Sequence, residues 1–159
     1  MTEHCHSATH SPAAAAQEVS LLSADLYEAA GAVRQVGEAV ASEVGQTQAR
    51  WQVLSVLSSS NWTVPQAARR LGVSRQSVQR VVDLLVADGL AELLPNPDHA
   101  RSPIVHLTAL GLETLDRIRG VAGPWHDAVA ARLSLADLRQ ARSVLQELTR
   151  LARERSWIE

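Results

Sequence analysis

The stretch TVPQAARRLGVSRQSVQRVVDLLVADGLAELL, residues 63–94, decides the fold because it contains two helix starts in close succession. Thr63 suits an N-cap, with Pro65 in the first helical turn and Gln66 at the third helical position of a capping box. Gly72 has the conformational freedom that ends a helix in a left-handed residue. The sequence therefore predicts a short helix that begins after Thr63 and ends at Gly72.

A second helix is predicted almost immediately afterwards. Ser74 is another N-cap, and the helix runs from Arg75 to about Asp88, where Gly89 stops it. Two helices with a short break between them, a glycine included, form the helix-turn-helix pattern.

The two faces of this second helix differ in chemistry. At about 100° per residue, its apolar face consists of Val78, Val81, Val82 and Leu85. Its opposite face consists of Gln76, Gln79, Arg80 and Asp83. Amides and guanidinium groups pair bidentately with adenine and guanine edges in the major groove of DNA. The alternative is an ordinary solvated face, because every amphipathic helix has a polar side.

The first turn of the same helix favours phosphate, because its backbone N–H groups are free and the helix dipole is positive there. The polar side chains of this turn are Ser74, Arg75 and Ser77.

Two short strands are predicted after the helices. Leu90–Leu94 and Ile104–Leu107 are apolar runs, and the segment PNPDHARSP between them has the composition of a rigid loop. A strand, an exposed loop and a strand after a helix-turn-helix make a winged helix. Arg101 lies in the wing, where an arginine suits the negative potential of a narrow minor groove.

Helices are predicted on both sides of this unit. A helix over about residues 18–44 has an apolar stripe at alternating spacings of three and four, formed by Val19, Leu22, Leu26, Ala29, Val33, Val36 and Val40. A helix after Thr108 is expected to break or kink at Gly123 and Pro124. Ser134 and Asp137 begin the last helix, whose stripe is Leu138, Ala141, Leu145, Leu148 and Ala152. The stripes either pack on the protein's own core or face a second subunit, and we favour the subunit.

The predicted fold class is mainly α with a small β-hairpin wing. We divide the chain into a flexible tail (1–17), an N-terminal dimerisation helix (18–48), a winged helix-turn-helix DNA-binding lobe (49–108) and C-terminal dimerisation helices (109–159).

Composition agrees with this division. The chain has 159 residues, 46% of them hydrophobic, and a net charge of −2. Residues 1–49 carry one arginine and six acidic residues, whereas residues 50–106 carry six arginines and four acidic residues. An acidic chain can therefore present one basic face to nucleic acid. A single cysteine and the absence of a long apolar run favour a cytoplasmic protein without a membrane segment.

The run from Trp51 to Gly111, which includes the helix-turn-helix, the wing and Leu107-Thr108, resembles the MarR family of bacterial transcriptional regulators. The resemblance extends over about residues 19–155. It implies a homodimer whose terminal helices interlock and whose two lobes straddle a pseudo-palindromic operator in double-stranded DNA. It also implies a pocket for a small aromatic or anionic effector between the dimer helices and the lobe. The implied DNA-binding residues are Ser74, Arg75, Gln76, Ser77, Gln79, Arg80 and Arg101.

The sequence departs from the family pattern in the wing. His99 stands where the family often has an aspartate that holds the wing arginine, and the neighbouring Asp98 is the candidate substitute. Leu93, Leu94 and Ala100 stand where basic residues are frequent, which implies weaker phosphate binding that depends less on salt.

The leading hypothesis is a ligand-responsive transcriptional regulator, with repression favoured over activation. One alternative is a winged-helix module that binds proteins. Another is a metal-responsive regulator that uses tail residues His4, Cys5, His6 and His10, although their spacing fits no structural zinc pattern, so we assign no metal site and no cofactor. An enzyme is disfavoured because no nucleophile–base spacing or glycine-rich phosphate loop is present.

The candidates for lining an effector pocket are Tyr27, Arg34, Trp51 and His106. We favour ordinary packing or surface exposure for each of them.

Overall fold

A computed structural model describes residues 11–99 and 101–154 of the chain. Its elements, in chain order, are α1 (Pro12–Ser42), α2 (Gln48–Leu57), β1 (Trp62–Thr63), α3 (Val64–Leu71), α4 (Arg75–Ala87), β2 (Ala91–Leu94), β3 (Ile104–Leu107), α5 (Ala109–Ala130) and α6 (Leu135–Glu154). The predicted fold class is confirmed: the chain is mainly helical and carries one small antiparallel sheet.

The helix-turn-helix forms as its local chemistry predicts. The Thr63 N–H donates to Oε1 of Gln66 at 2.8 Å, and Gly72 ends α3 at a φ of 69°. Ser74 caps α4, because its Oγ accepts the Ser77 N–H at 3.1 Å. These caps satisfy backbone groups that would otherwise be unpaired at the helix ends.

One core holds the lobe together. Val78, Val82 and Leu85 of α4 are buried as predicted, and they meet α2 and the first half of α5 in a cluster that includes Leu54, Leu115 and Ile118. Complete burial of one such side chain stabilises the fold by about 1.5–3 kcal/mol. Since the apolar face of α4 is held in this core, its polar face is fixed towards solvent.

The sheet has three strands in the order β1-β3-β2. The hairpin of β2 and β3 is the predicted wing, with Ala91 opposite Leu107 and Leu94 opposite Ile104. Strand β1 was not predicted, because two residues contain no periodicity. It exists through its pairing with β3, in which Trp62 faces Val105.

The start of α1 corrects the predicted tail. The helix begins at Pro12, so residues 12–17 are helical. Proline is favoured in the first turn of a helix, and the alanines at 13–16 have the highest helix propensity of any residue. Residues 1–10 of the predicted tail lie outside the described residues.

The predicted break at Gly123 and Pro124 is wrong. Helix α5 continues through both residues to Ala130. Proline removes one helical hydrogen bond, here the one to the Gly120 carbonyl. Residue 120 is exposed, so water can reach that carbonyl.

The terminal helices leave much of their apolar surface uncovered. Val40 of α1 is buried in the core, whereas Val19 and Val33 of the same predicted stripe are about half exposed. Helix α6 starts with the predicted bond from the Asp137 N–H to Ser134 Oγ, at 3.1 Å. None of its described residues is buried.

Candidate nucleic-acid interface

The polar face of α4 is exposed along its whole length. Gln76, Gln79 and Arg80 are all open to solvent, and Arg80 takes no part in the ion pairs formed among the described residues. The face is rigid, since the opposite side of the helix is buried. The predicted base-contacting side chains therefore lie together on one accessible surface.

Gln79 has a hydrogen-bond partner on this face that was not predicted from the sequence pattern. Its Nε2 donates to Oδ1 of Asp83 at 2.7 Å. Because a carboxylate only accepts hydrogen bonds, this contact fixes which end of the Gln79 amide points towards Asp83. The spacing of four residues on a helix is the signal that could have revealed it.

The first turn of α4 gathers the residues predicted to meet phosphate. Oγ of Ser74 and Oγ of Ser77 lie 2.8 Å apart, and Arg75 beside them is exposed. The two hydroxyls form a single polar edge at the positive end of the helix dipole.

Arg101 lies exposed in the wing, between β2 and β3. Asp98 was the predicted partner of Arg101, but the ion pairs among the described residues do not include this one. Asn96 organises the loop instead. Its Nδ2 donates to the Ser102 carbonyl at 2.8 Å, and its Oδ1 accepts the Asp98 N–H at 3.1 Å. The Asn-Pro-Asp sequence, typical of Asx turns, is the signal that could have identified this role.

The outer part of the wing carries few basic side chains. Leu93 and Leu94 are exposed on β2. Glu92 lies opposite His106, with Oε1 and Nδ1 3.2 Å apart. Arg101 is therefore the one arginine that the described part of the wing offers to DNA.

A cavity of about 320 Å³ lies between α1, α2, α5 and the end of α3. Its lining includes Trp51, Arg70, Trp125 and His126, and the rings of Trp125 and His126 are tilted with centroids 5.2 Å apart. Of the four candidate effector contacts, only Trp51 lines this cavity. Tyr27 is 82% exposed, and His106 belongs to the wing.

Within residues 11–99 and 101–154, no helix combines the length and apolarity needed to span a membrane. No group of three or more histidine, cysteine, aspartate or glutamate side chains in the same part of the chain could hold a metal ion. The four predicted metal-binding candidates of the tail lie outside this part of the chain.

The chain is similar to known proteins in both sequence and fold. Residues 45–102 match the family model described as MarR family. Uncharacterized protein Rv2011c from Mycobacterium tuberculosis is 49% identical over 131 residues, which are 82% of this chain and 92% of that protein.

Among solved structures, the Mycobacterium tuberculosis transcriptional regulator MOSR in complex with DNA is 25% identical, with a TM-score of 0.67 over 82% of this chain and 94% of that one. NadR in complex with 4-hydroxyphenylacetate is 19% identical, with a TM-score of 0.74 over 80% of this chain and 92% of that one. The helix-turn-helix, the wing and the flanking helices agree with these similarities, and the chain belongs to the MarR family of winged-helix transcription regulators.

Proposed function

We propose that this protein is a sequence-specific regulator that binds double-stranded DNA as a homodimer and leaves it when a small ligand binds. The single observation that carries the proposal is the polar face of α4. That face presents Gln76, Gln79 and Arg80 from a helix whose other side is buried.

In this proposal α4 enters the major groove. Arg80 and Gln76 contact base edges, while Arg75 and the hydroxyls of Ser74 and Ser77 contact phosphate. Arg101 enters the neighbouring minor groove, where sequence-dependent width adds specificity. The solved complex of MOSR with DNA, a protein of similar fold, supports this use of the fold.

The homodimer is supported by the surface that one chain leaves uncovered. Helix α1 and the described α6 both expose apolar residues, which include Val19, Leu21 and Val33 in α1 and Leu145 and Leu151 in α6. Large exposed apolar surfaces are typical of interaction sites. A two-fold dimer would cover both helices and would require an operator with two-fold symmetry.

The cavity between α1, α2 and α5 is the proposed effector site. Its tryptophans offer flat apolar surface, and Arg70 and His126 offer positive charge or hydrogen bonds. An aromatic anion fits this combination. The 4-hydroxyphenylacetate bound in the structure of NadR is a ligand of that class. The lining includes the end of α3, which belongs to the DNA-binding lobe. A ligand that binds better to a lobe orientation unable to contact DNA would therefore lower the affinity for DNA.

The test is a selection of genomic DNA fragments by the purified protein near physiological salt. We expect enrichment of a two-fold repeat with half-sites about one helical turn, roughly 34 Å, apart. Repression further requires that the selected site overlap a promoter. If a folded dimer enriches no sequence, the proposal of sequence-specific DNA binding is wrong, and binding to a protein partner becomes the better hypothesis.

A parallel selection with residues 1–10 removed tests the metal-responsive alternative without shortening α1. We expect the same enriched sequence and no response to zinc in either form of the protein. A zinc response that disappears with the tail would favour the alternative.

A further inference from the structure

Gln79 lies on the polar face of α4, one helical turn before Asp83. Its Nε2 donates to Oδ1 of Asp83 at 2.7 Å, and both residues are exposed. This distance is at the short end of the range for N–H···O hydrogen bonds, as expected when the acceptor is an ionised carboxylate. The pair is therefore a charge-assisted contact on the surface that we propose for the major groove.

The contact determines what Gln79 has left to offer a base. A carboxamide has two N–H donors on its nitrogen and two acceptor sites on its oxygen. Asp83 takes one N–H, and the hydrogen bonds that α4 forms with described side chains leave Oε1 of Gln79 unused. An amide turned by 180° would bring its oxygen against the carboxylate, where neither group can donate. Gln79 therefore presents its oxygen and one N–H.

The four bases differ in what they present to such a group in the major groove. Adenine offers the N6 amine beside the N7 acceptor, and cytosine offers the N4 amine. Guanine offers the acceptors N7 and O6, and thymine offers the acceptor O4 and a methyl group. The held amide matches adenine at two points and cytosine at one. A guanine or thymine would use only the single N–H and leave the amide oxygen without a donor.

Gln76 provides the internal comparison. It lies on the same exposed face, but the residue one turn after it is Arg80, which has no acceptor for an amide N–H. No hydrogen bond among the described residues of α4 holds the Gln76 amide. That amide can turn to present either its oxygen or its N–H groups, so the structure sets no such limit on the base that Gln76 contacts.

We infer that Gln79 is a specificity-determining residue that selects a base with an exocyclic amine, adenine before cytosine. Asp83 is the positioning residue that imposes this choice, because it fixes the orientation of the Gln79 amide. The inference rests on the proposed function and specifies one base of the operator. In a two-fold dimer the same choice is made once in each half-site.

The positioning role of Asp83 differs from the effect of its charge. A carboxylate near DNA repels the phosphates of every sequence, so its charge changes the overall affinity and not the preference for one base. The orientation of Gln79, in contrast, changes the preference at a single base pair. Base preference is therefore the measurement that separates the two effects.

The experiment selects bound duplexes from a randomised pool with the full-length protein and compares the bases at each position of the enriched repeat. Gln79→Ala identifies the position that Gln79 contacts, because that position should lose its preference. In the unchanged protein we expect adenine there over guanine or thymine by about fivefold or more, the effect of one bidentate contact. Asp83→Ala removes the acceptor while alanine favours the helix, and should reduce this preference to about twofold or less.

Three controls accompany the selection. The position that Gln76→Ala identifies should keep its preference in Asp83→Ala, because Asp83 does not hold Gln76. Asp116→Asn removes the same charge from α5 and should leave every base preference unchanged. Gln79→Glu keeps the acceptors but loses the N–H that meets N7 of adenine, so its preference should move from adenine to cytosine.

Guanine or thymine at the position of Gln79 would overturn the inference, as would an adenine preference that survives in Asp83→Ala. A loss of affinity in Gln79→Ala with no base preference changed would assign Gln79 to phosphate and would also overturn it. The proposed function survives these results, because a two-fold repeat is still enriched. If no form of the protein enriches a sequence, the proposed function and the inference fail together.

Discussion

Gly111 lies against the backbone of Leu90 so closely that a Cβ at position 111 would stand 2.0 Å from the Leu90 carbonyl oxygen. The contact joins the start of α5 to the start of the wing. Thr108 strengthens the same junction, because its N–H donates to the Leu90 carbonyl at 3.1 Å and its Oγ1 to the Gly89 carbonyl at 2.7 Å. The wing is therefore anchored to α5 through backbone atoms that cannot move aside easily.

Gly111→Ala should destabilise the protein by about 1–3 kcal/mol or more, because the added methyl group has no room and the obstacle is backbone. Gly120→Ala in the same helix is the control, since nothing lies within 4 Å of its added Cβ. That change should stabilise by about 0.5–1 kcal/mol, as expected for replacing an open helical glycine. Urea unfolding of both variants checks the pair, and equal effects would contradict the close contact.

Arg50 and Asp88 join the start of α2 to the end of α4. Nη2 of Arg50 contacts Oδ2 of Asp88, and the Arg50 side chain is only 15% exposed. Asp88→Asn should cost about 1 kcal/mol, because the largely buried guanidinium loses its counter-ion. Asp116→Asn, whose partner Arg119 is well exposed, should cost less than about 0.5 kcal/mol. Chemical denaturation measures both, and the prediction fails if the second variant loses more stability than the first.

Asp83 places a negative charge on the face that we propose for DNA. Asp83→Asn should tighten binding to any DNA several-fold, because repulsion of phosphate is removed. It should also reduce the preference for the operator, since Gln79 loses its charged partner. Affinities for an operator duplex and a scrambled duplex at one salt concentration test this. Loss of operator affinity with unchanged scrambled binding would instead give Asp83 a direct role in recognition.

Arg80→Ala should weaken operator binding by roughly 1–3 kcal/mol and relax the base preference at one position of each half-site. Arg117→Ala removes an exposed arginine from α5 and is the control for net charge. Selection from a randomised duplex pool compares the two variants. An unchanged sequence preference in Arg80→Ala would reject its role in reading a base.

Asn96, rather than Asp98, should hold the wing in shape. Asn96→Ala is expected to weaken operator binding as much as Arg101→Ala does, and the double variant should lose little more, because both changes act on one contact. Asp98→Ala keeps the backbone N–H that bonds Asn96, so its binding should be unchanged or tighter. Gel-shift titrations decide the matter, and additive losses in the double variant would mean that the two residues act separately.

The elements that could be predicted are those specified by neighbours along the chain. Caps at Thr63, Ser74, Thr108 and Ser134 depend on groups three residues away, and the faces of α4 follow from helical periodicity. The helix-turn-helix, the wing and the groups facing solvent on α4 were therefore predictable. The start of α1 was not predictable, because local helix propensities differ by only small free energies. The continuity of α5 was not predictable either, because a proline inside a helix usually ends or kinks it.

Tertiary structure decided the features that join distant residues. Strand β1 exists only through its pairing with β3, and the Arg50–Asp88 and Gly111–Leu90 contacts join segments at least 20 residues apart. The cavity lined by Trp51, Trp125 and His126 likewise needs α1, α2, α3 and α5 in place. The sequence alone determined which side chains each helix presents, because that depends on local geometry. Only the packed core determined which of them meet, because their distances are set by contacts made elsewhere in the fold.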